Sequence, residues 1–167
     1  MMARTHDVAA FTLLAVVFVL RPEQAVSFTT AIAAVLANQI GGITPDIDQP
    51  TAPLWHNIPA ANIFGKLFGK MTGGHRFLTH SVLGLALFGF GAHWLLLFLS
   101  PVLGHIDTGI VWWSFMLGMF SHLVMDTFTK EGVPWLLPIT FKFGIPPVRA
   151  FRVTSGKAVE KFAVLPG

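Results

Sequence analysis

From residue 77 to residue 99 the chain runs for 23 residues without an aspartate, glutamate, lysine or arginine. Wound as an α-helix at about 1.5 Å per residue, such a run is ~35 Å long, enough to cross a hydrocarbon core of ~30 Å. A helix apolar all round is either buried in a large protein or placed in lipid. The chain has 167 residues, enough for one domain, and only 11% of them are charged. Soluble domains carry about 25%. Lipid is therefore the expected solvent for much of the chain.

Three other apolar runs accompany the first. Residues 6–20 follow a short polar start and are apolar from Val8 onward except for Thr12. This run is short for a span and could be a signal-peptide core, but no small-x-small cleavage site follows it, so a retained span is expected. Residues 25–43 are rich in Ala and Thr, which suits close packing in a membrane bundle; a buried helix that does not span is the alternative. Gly41-Gly42 and Pro45 are expected to end it. Residues 109–128 form the fourth run, with Trp112 and Trp113 as interface anchors. Between the second and third runs, prolines and glycines mark a loop, inside which residues 58–68 suit a short interfacial helix with Lys66 and Lys70 toward headgroups. Residues 129–167 read as an ordered tail against the membrane surface. The expectation is an all-α polytopic membrane protein, one domain over 1–167, with about four transmembrane helices (6–20, 25–43, 77–99 and 109–128).

Four spans place both termini and the middle loop on one side. Ten of the eleven Lys and Arg residues fall on that side and only Arg21 on the other. The positive-inside rule then puts both termini in the cytoplasm. The remaining polar residues follow the same division. His6 opens the first run, Asp46 and Asp48 close the second, His75, Arg76 and His80 open the third, and His122 and Asp126 close the fourth. All lie at the cytoplasmic end, although Lys and Arg set the topology and only Arg76 is in both sets. His93 lies 13 residues beyond His80, about 20 Å along a helix, and so belongs with His105 to the opposite half.

The chain has no cysteine, so any metal must sit on His, Asp or Glu, which favours Zn, Mn, Fe or Mg over softer ions. His122 and Asp126 are four residues apart and share a helix face, where they can bind one cation or bond to each other. Inside a span such a pair is expensive and points to function. Asp46 and Asp48, if extended, point the same way and could share or bridge metals; turn capping is the alternative. His80 is a ligand or a buried histidine satisfied by a carbonyl. His75 could join it on one metal only from the loop. The planar fork of Arg76 suits a phosphate or carboxylate, or else anchors a headgroup. His6 would close the set. Arg149, Arg152, Ser155, Gly156 and Glu160 in the tail either cover the site or form a basic surface. A net charge of +3 spread over loops and tail carries no nucleic-acid signature, and no His-Glu-x-x-His speaks for an intramembrane metalloprotease.

Thr5-His6, Pro45-Asp46-Ile47-Asp48, the run from His75-Arg76-Phe77-Leu78 through Thr79-His80-Ser81, the segment 118–126 and the closing stretch 154–160 together resemble the YdjM-like family. Its members are bacterial inner-membrane proteins described as metal-dependent hydrolases. The resemblance covers nearly the whole chain. It implies a helical protein of the bacterial inner (plasma) membrane with a His/Asp metal site at the cytoplasmic face. The family is similar in turn to zinc-dependent phospholipases and nucleases, which implies phosphoester chemistry by analogy alone. Together these readings give a hydrolase holding divalent metal, zinc or else manganese, as one or two ions. The ligands would come from His6, Asp46, Asp48, His80, His122 and Asp126. Arg76 would orient an anionic group, and Asp48, if not bound to metal, would serve as general base. Membrane lipids are the expected partners, with a phosphoester or lipid-linked substrate arriving from the bilayer. Two alternatives use the same cluster: a metal-ion or proton transporter, or a non-catalytic protein whose helices a metal staples together.

Overall fold

The computed structural model describes residues 3–21, 25–49 and 76–154. His75, residues 58–68 with Lys66 and Lys70, and Ser155, Gly156 and Glu160 lie outside the described residues. Those described form four α-helices and no strand: α1 (Ala3–Leu20), α2 (Phe28–Ile43), α3 (Val82–Leu103) and α4 (Thr108–Thr127). Three of the four starts are capped by a side chain that accepts from a backbone N–H of the first turn: Ser27 from Thr30, Ser81 from Gly84, and Asp107 from Ile110. Among the described residues, α3 and α4 are long and apolar enough to cross a membrane. The 18 residues of α1 and the 16 of α2 make shorter rods.

The bundle is built inside out relative to a water-soluble one. On α2, Phe28, Ile32, Leu36 and Ile40 recur every fourth residue and are exposed. Thr30, Ala34, Asn38 and Gly42 recur with the same spacing and are buried. The small and polar face turns inward and the large apolar face outward, as expected where the surrounding solvent is lipid. On α3, Leu87, Phe90, Trp94 and Phe98 are exposed in the same way.

The small residues are what allow the bundle to close. A Cβ on Gly41 would stand 2.1 Å from the carbonyl oxygen of Phe115, and one on Gly118 would stand 2.1 Å from that of Asn38. The backbones of α2 and α4 therefore touch at this crossing, and Asn38 Nδ2 donates to the Ser114 carbonyl beside it (3.1 Å). α1 packs on both helices. α3 leans mainly on α4, where Trp112 Nε1 donates to the Gly89 carbonyl (2.7 Å).

Two local expectations are corrected. α2 runs through Gly41-Gly42 to Ile43 and continues as a 3-10 turn over Thr44–Asp48. The close crossing with α4 uses both glycines as helix, so their breaking tendency is overridden by packing. Asp46 and Asp48 are thus not extended. At three residues per 3-10 turn they point about 120° apart. α3 begins only at Val82, because Ser81 caps it, so His80 precedes the helix instead of lying one or two turns inside it. After α4 the chain is irregular to residue 154 apart from a 3-10 turn at Arg149–Phe151, with two isolated bridges, Thr129 to Val153 and Val133 to Phe143. Trp135 pins this segment to the helix ends: its carbonyl accepts from Val82 N (3.0 Å) and its Nε1 donates to Thr127 Oγ1 (2.9 Å).

Candidate metal centre

The start of α1, the turn after α2, the residues before α3 and the end of α4 meet at one end of the bundle. There His6, His80, His122 and Asp126 are almost fully buried, and Asp46 keeps 24% of its side chain exposed. Two overlapping groups have ligand atoms close enough for one ion: Asp46, His80 and His122, and His6, His122 and Asp126.

The spacing of these atoms decides between direct bonding and a shared ion. His80 Nε2 lies 3.6 Å from Asp46 Oδ1 and 3.5 Å from Asp126 Oδ2. His122 Nε2 lies 3.6 Å and 3.8 Å from the same two oxygens. Charge-assisted hydrogen bonds contract to about 2.7–2.9 Å. Arg76 Nη2 does contract, reaching Asp126 Oδ2 at 2.7 Å. The four other separations, 3.5–3.8 Å, are long for charge-assisted hydrogen bonds. They are close to four of the six edges of a tetrahedron around zinc, about 3.3–3.4 Å for bonds of ~2.0–2.1 Å. Two nitrogens and two oxygens suit a borderline ion such as zinc.

Two of the three clustered histidines, His122 and His80, are oriented from behind. The Nδ1 of His122 bonds the Gly42 carbonyl at 2.6 Å. A carbonyl only accepts, so Nδ1 carries the proton and Nε2 presents its lone pair to the cluster. This Nε2 is buried and has no hydrogen-bond partner. The reasoning for His80 needs one more step. Thr79 Oγ1 donates to Asp48 Oδ2 (2.6 Å) and lies 3.0 Å from His80 Nδ1. A hydroxyl has one proton, and the carboxylate takes it. His80 Nδ1 must therefore donate to Thr79, which again leaves Nε2 for the centre. Asp48 thus stands behind His80 and belongs to neither of the two groups. Thr79→Val keeps the shape but removes the relay. It is expected to weaken metal binding by about 10–100-fold, in the range of outer-shell losses, with Thr79→Ser restoring it. Competition with a chromogenic chelator measures both.

His6 stacks on His122 with ring centroids 3.7 Å apart, and its Nε2 lies 3.4 Å from Asp126 Oδ1. His122 has one lone pair to give, since its Nδ1 is committed, so the two groups cannot each hold an ion through it. Arg76 is turned inward, 6% exposed, and its Nη1 donates to Thr129 Oγ1 (2.8 Å) while Nε approaches Glu131 (3.5 Å). Its φ of 59° is left-handed, a conformation that costs a non-glycine residue about 1–3 kcal/mol. The ion pair with Asp126 holds it there. Even so, Asp46, Asp48 and Asp126 outnumber this one guanidinium, and the excess negative charge favours a cation. His93 lies beside Trp112 (6.4 Å) and His105 is exposed at the turn between α3 and α4, both away from the cluster. Thr79, Gly42 and Thr129 are partners that sequence reasoning did not place. Thr79 and Ser81 look alike in the sequence, yet one relays and the other caps.

The model of the YdjM inner membrane protein family matches residues 1–164. The chain belongs to this family. Inner membrane protein YdjM of Escherichia coli (strain K12) is 32% identical over 109 residues, 62% of this chain and 48% of that protein, and the Shigella flexneri protein of the same name matches equally. The uncharacterized protein YvsG of Bacillus subtilis (strain 168) is 27% identical over 107 residues, 64% of this chain and 58% of its own length. The chain thus spans about half the length of the curated relatives it matches. No solved structure matches it. Family membership and the two membrane-capable helices make this an inner-membrane protein with a His/Asp cluster able to bind a metal.

Proposed function

We propose that this YdjM-family chain is a membrane-bound metal-dependent hydrolase acting on a phosphoester or lipid-linked substrate. The observation that carries the reading is the set of four 3.5–3.8 Å separations from His80 and His122 to Asp46 and Asp126. One zinc ion, with manganese as the alternative, would be held by these four residues. When bound, it supplies Lewis acidity that activates water and polarises a phosphoryl group. His6 and Arg76 grip the two oxygens of Asp126 and keep it in place. Arg76 also sets a positive charge beside the centre, where an anionic group would gain from it. Asp48 acts through Thr79 to aim His80, a positioning role that replaces general base. Asp46, the most exposed of the set, marks the side open to substrate. The outward apolar faces of α1 and α2 support four spans, and the distribution of Lys and Arg supports a cytoplasmic centre and cytoplasmic termini.

Transport is favoured less by the interior beyond the centre. Asn38 donates to the Ser114 carbonyl, and Ser114 Oγ donates to that of Ile110 (2.8 Å). These groups serve helix packing and form no relay. Elemental mass spectrometry on detergent-purified protein tests the proposal first. Wild type and His93→Ala should carry one zinc or manganese per chain, and His80→Ala should carry almost none. Hydrolysis of a chromogenic phosphodiester should follow metal content across the same set. Folded wild type that binds no metal after reconstitution would end the hydrolase reading; metal without turnover would leave a structural staple.

A further inference from the structure

Residues 133–154 contain Lys142, Arg149 and Arg152 and no aspartate or glutamate. Leu136, Ile139, Phe141, Ile145, Val148 and Phe151 are each more than half exposed in this stretch. Six large apolar side chains in one irregular segment are far more than a water-facing loop ordinarily shows. The segment's place explains them. Trp135 ties it to Val82 and Thr127, and Ile145 N donates to the Thr127 carbonyl (2.9 Å). Val82 and Thr127 are the adjoining ends of the two membrane-capable helices, so the segment is attached where those helices, if they span, would leave the hydrocarbon. Apart from one 3-10 turn at Arg149–Phe151 its backbone is neither helix nor sheet, which keeps it out of the hydrocarbon interior. The boundary between acyl chains and headgroups accepts both its apolar side chains and its exposed backbone. Arg152 is spent internally, donating to the carbonyls of Pro146 (2.8 Å) and Pro147 (3.1 Å). Lys142 and Arg149 are exposed and remain for anionic headgroups.

We propose that residues 133–154 form a lipid-binding loop that seats Phe141 and Phe151 at the acyl–headgroup boundary and sets Lys142 and Arg149 against anionic headgroups. The proposal is independent of the metal reading. The absence of cysteine makes it directly testable. Spin labels are placed singly at Phe141→Cys, Phe151→Cys and, as a lipid-facing reference near the middle of α3, Phe90→Cys. Collision rates with oxygen and with a water-soluble nickel complex are measured in vesicles of phosphatidylcholine, with and without phosphatidylglycerol. Labels at 141 and 151 should meet oxygen in preference to nickel, at a depth shallower than 90. Phosphatidylglycerol should deepen them, and Lys142→Gln with Arg149→Gln should abolish that deepening. Labels that meet nickel as freely as the unattached label would overturn the proposal. Labels shielded from both reagents would overturn it too, placing the loop under protein, whether this chain or a second copy. Depth that ignores phosphatidylglycerol would overturn the headgroup role of Lys142 and Arg149.

Discussion

An Asp126→Ala chain is expected to lose its metal and much of its stability together. Apparent zinc affinities of structural sites correspond to about 10–16 kcal/mol, so one ligand of four is worth ~2.5–4 kcal/mol, or about a hundred- to a thousand-fold in affinity. The substitution also leaves Arg76 buried without the carboxylate it contacts at 2.7 Å. Removing one member of a buried ion pair costs about 3–5 kcal/mol. The two losses can be separated. Arg76→Ala combined with Asp126→Ala removes the stranded charge and should recover thermal stability, yet still bind no metal. Elemental analysis and thermal unfolding of wild type, both single variants and the double variant complete the cycle. Wild-type metal affinity in Asp126→Ala would show that the ion sits elsewhere.

The second large effect is expected from a residue that touches no ligand. In Gly118→Ala the new methyl would stand 2.1 Å from the Asn38 oxygen and 2.8 Å from the Gly42 nitrogen, where ordinary contact begins near 3.4 Å. The α2–α4 crossing must open by more than 1 Å at that point. Overpacking of this kind costs about 1–3 kcal/mol. Opening the crossing also stretches the Asn38 to Ser114 and His122 to Gly42 hydrogen bonds, each worth roughly 1–3 kcal/mol when a buried partner is stranded. The melting temperature and the metal affinity should fall together. Gly91→Ala is the control: its Cβ would meet nothing within 4 Å, and the helix should gain up to about 1 kcal/mol.

The convergence of His6, Asp46, His80, His122 and Asp126 was legible in the sequence because each sits at the same end of its apolar run. Their separate tasks were not. Asp46 and Asp48 are two letters apart, and only the turn type tells them apart. That turn depends on α2 continuing through Gly41-Gly42, which depends on α4 pressing against both glycines, a tertiary fact. Arg76 offered two readings, anion holder and headgroup anchor, and the structure sets its fork on the Asp126 carboxylate. The boundaries of α4 were read within one residue. The start of α3 was missed by five because Ser81 looked like part of the run, and its end by four because the helix continues through Ser100-Pro101 to Leu103.

The acceptor that aims His122 is a main-chain carbonyl, so no side-chain substitution at residue 42 deletes it. The imidazole's proton stays on Nδ1 only while α2 and α4 remain at their crossing distance. Any ion held through Nε2 is therefore linked to helix spacing, and the linkage runs both ways with equal free energy. A chelator should loosen the crossing, and a loosened crossing should release the ion. In the bilayer, the ion's dissociation constant would then read out how firmly two helices are clasped.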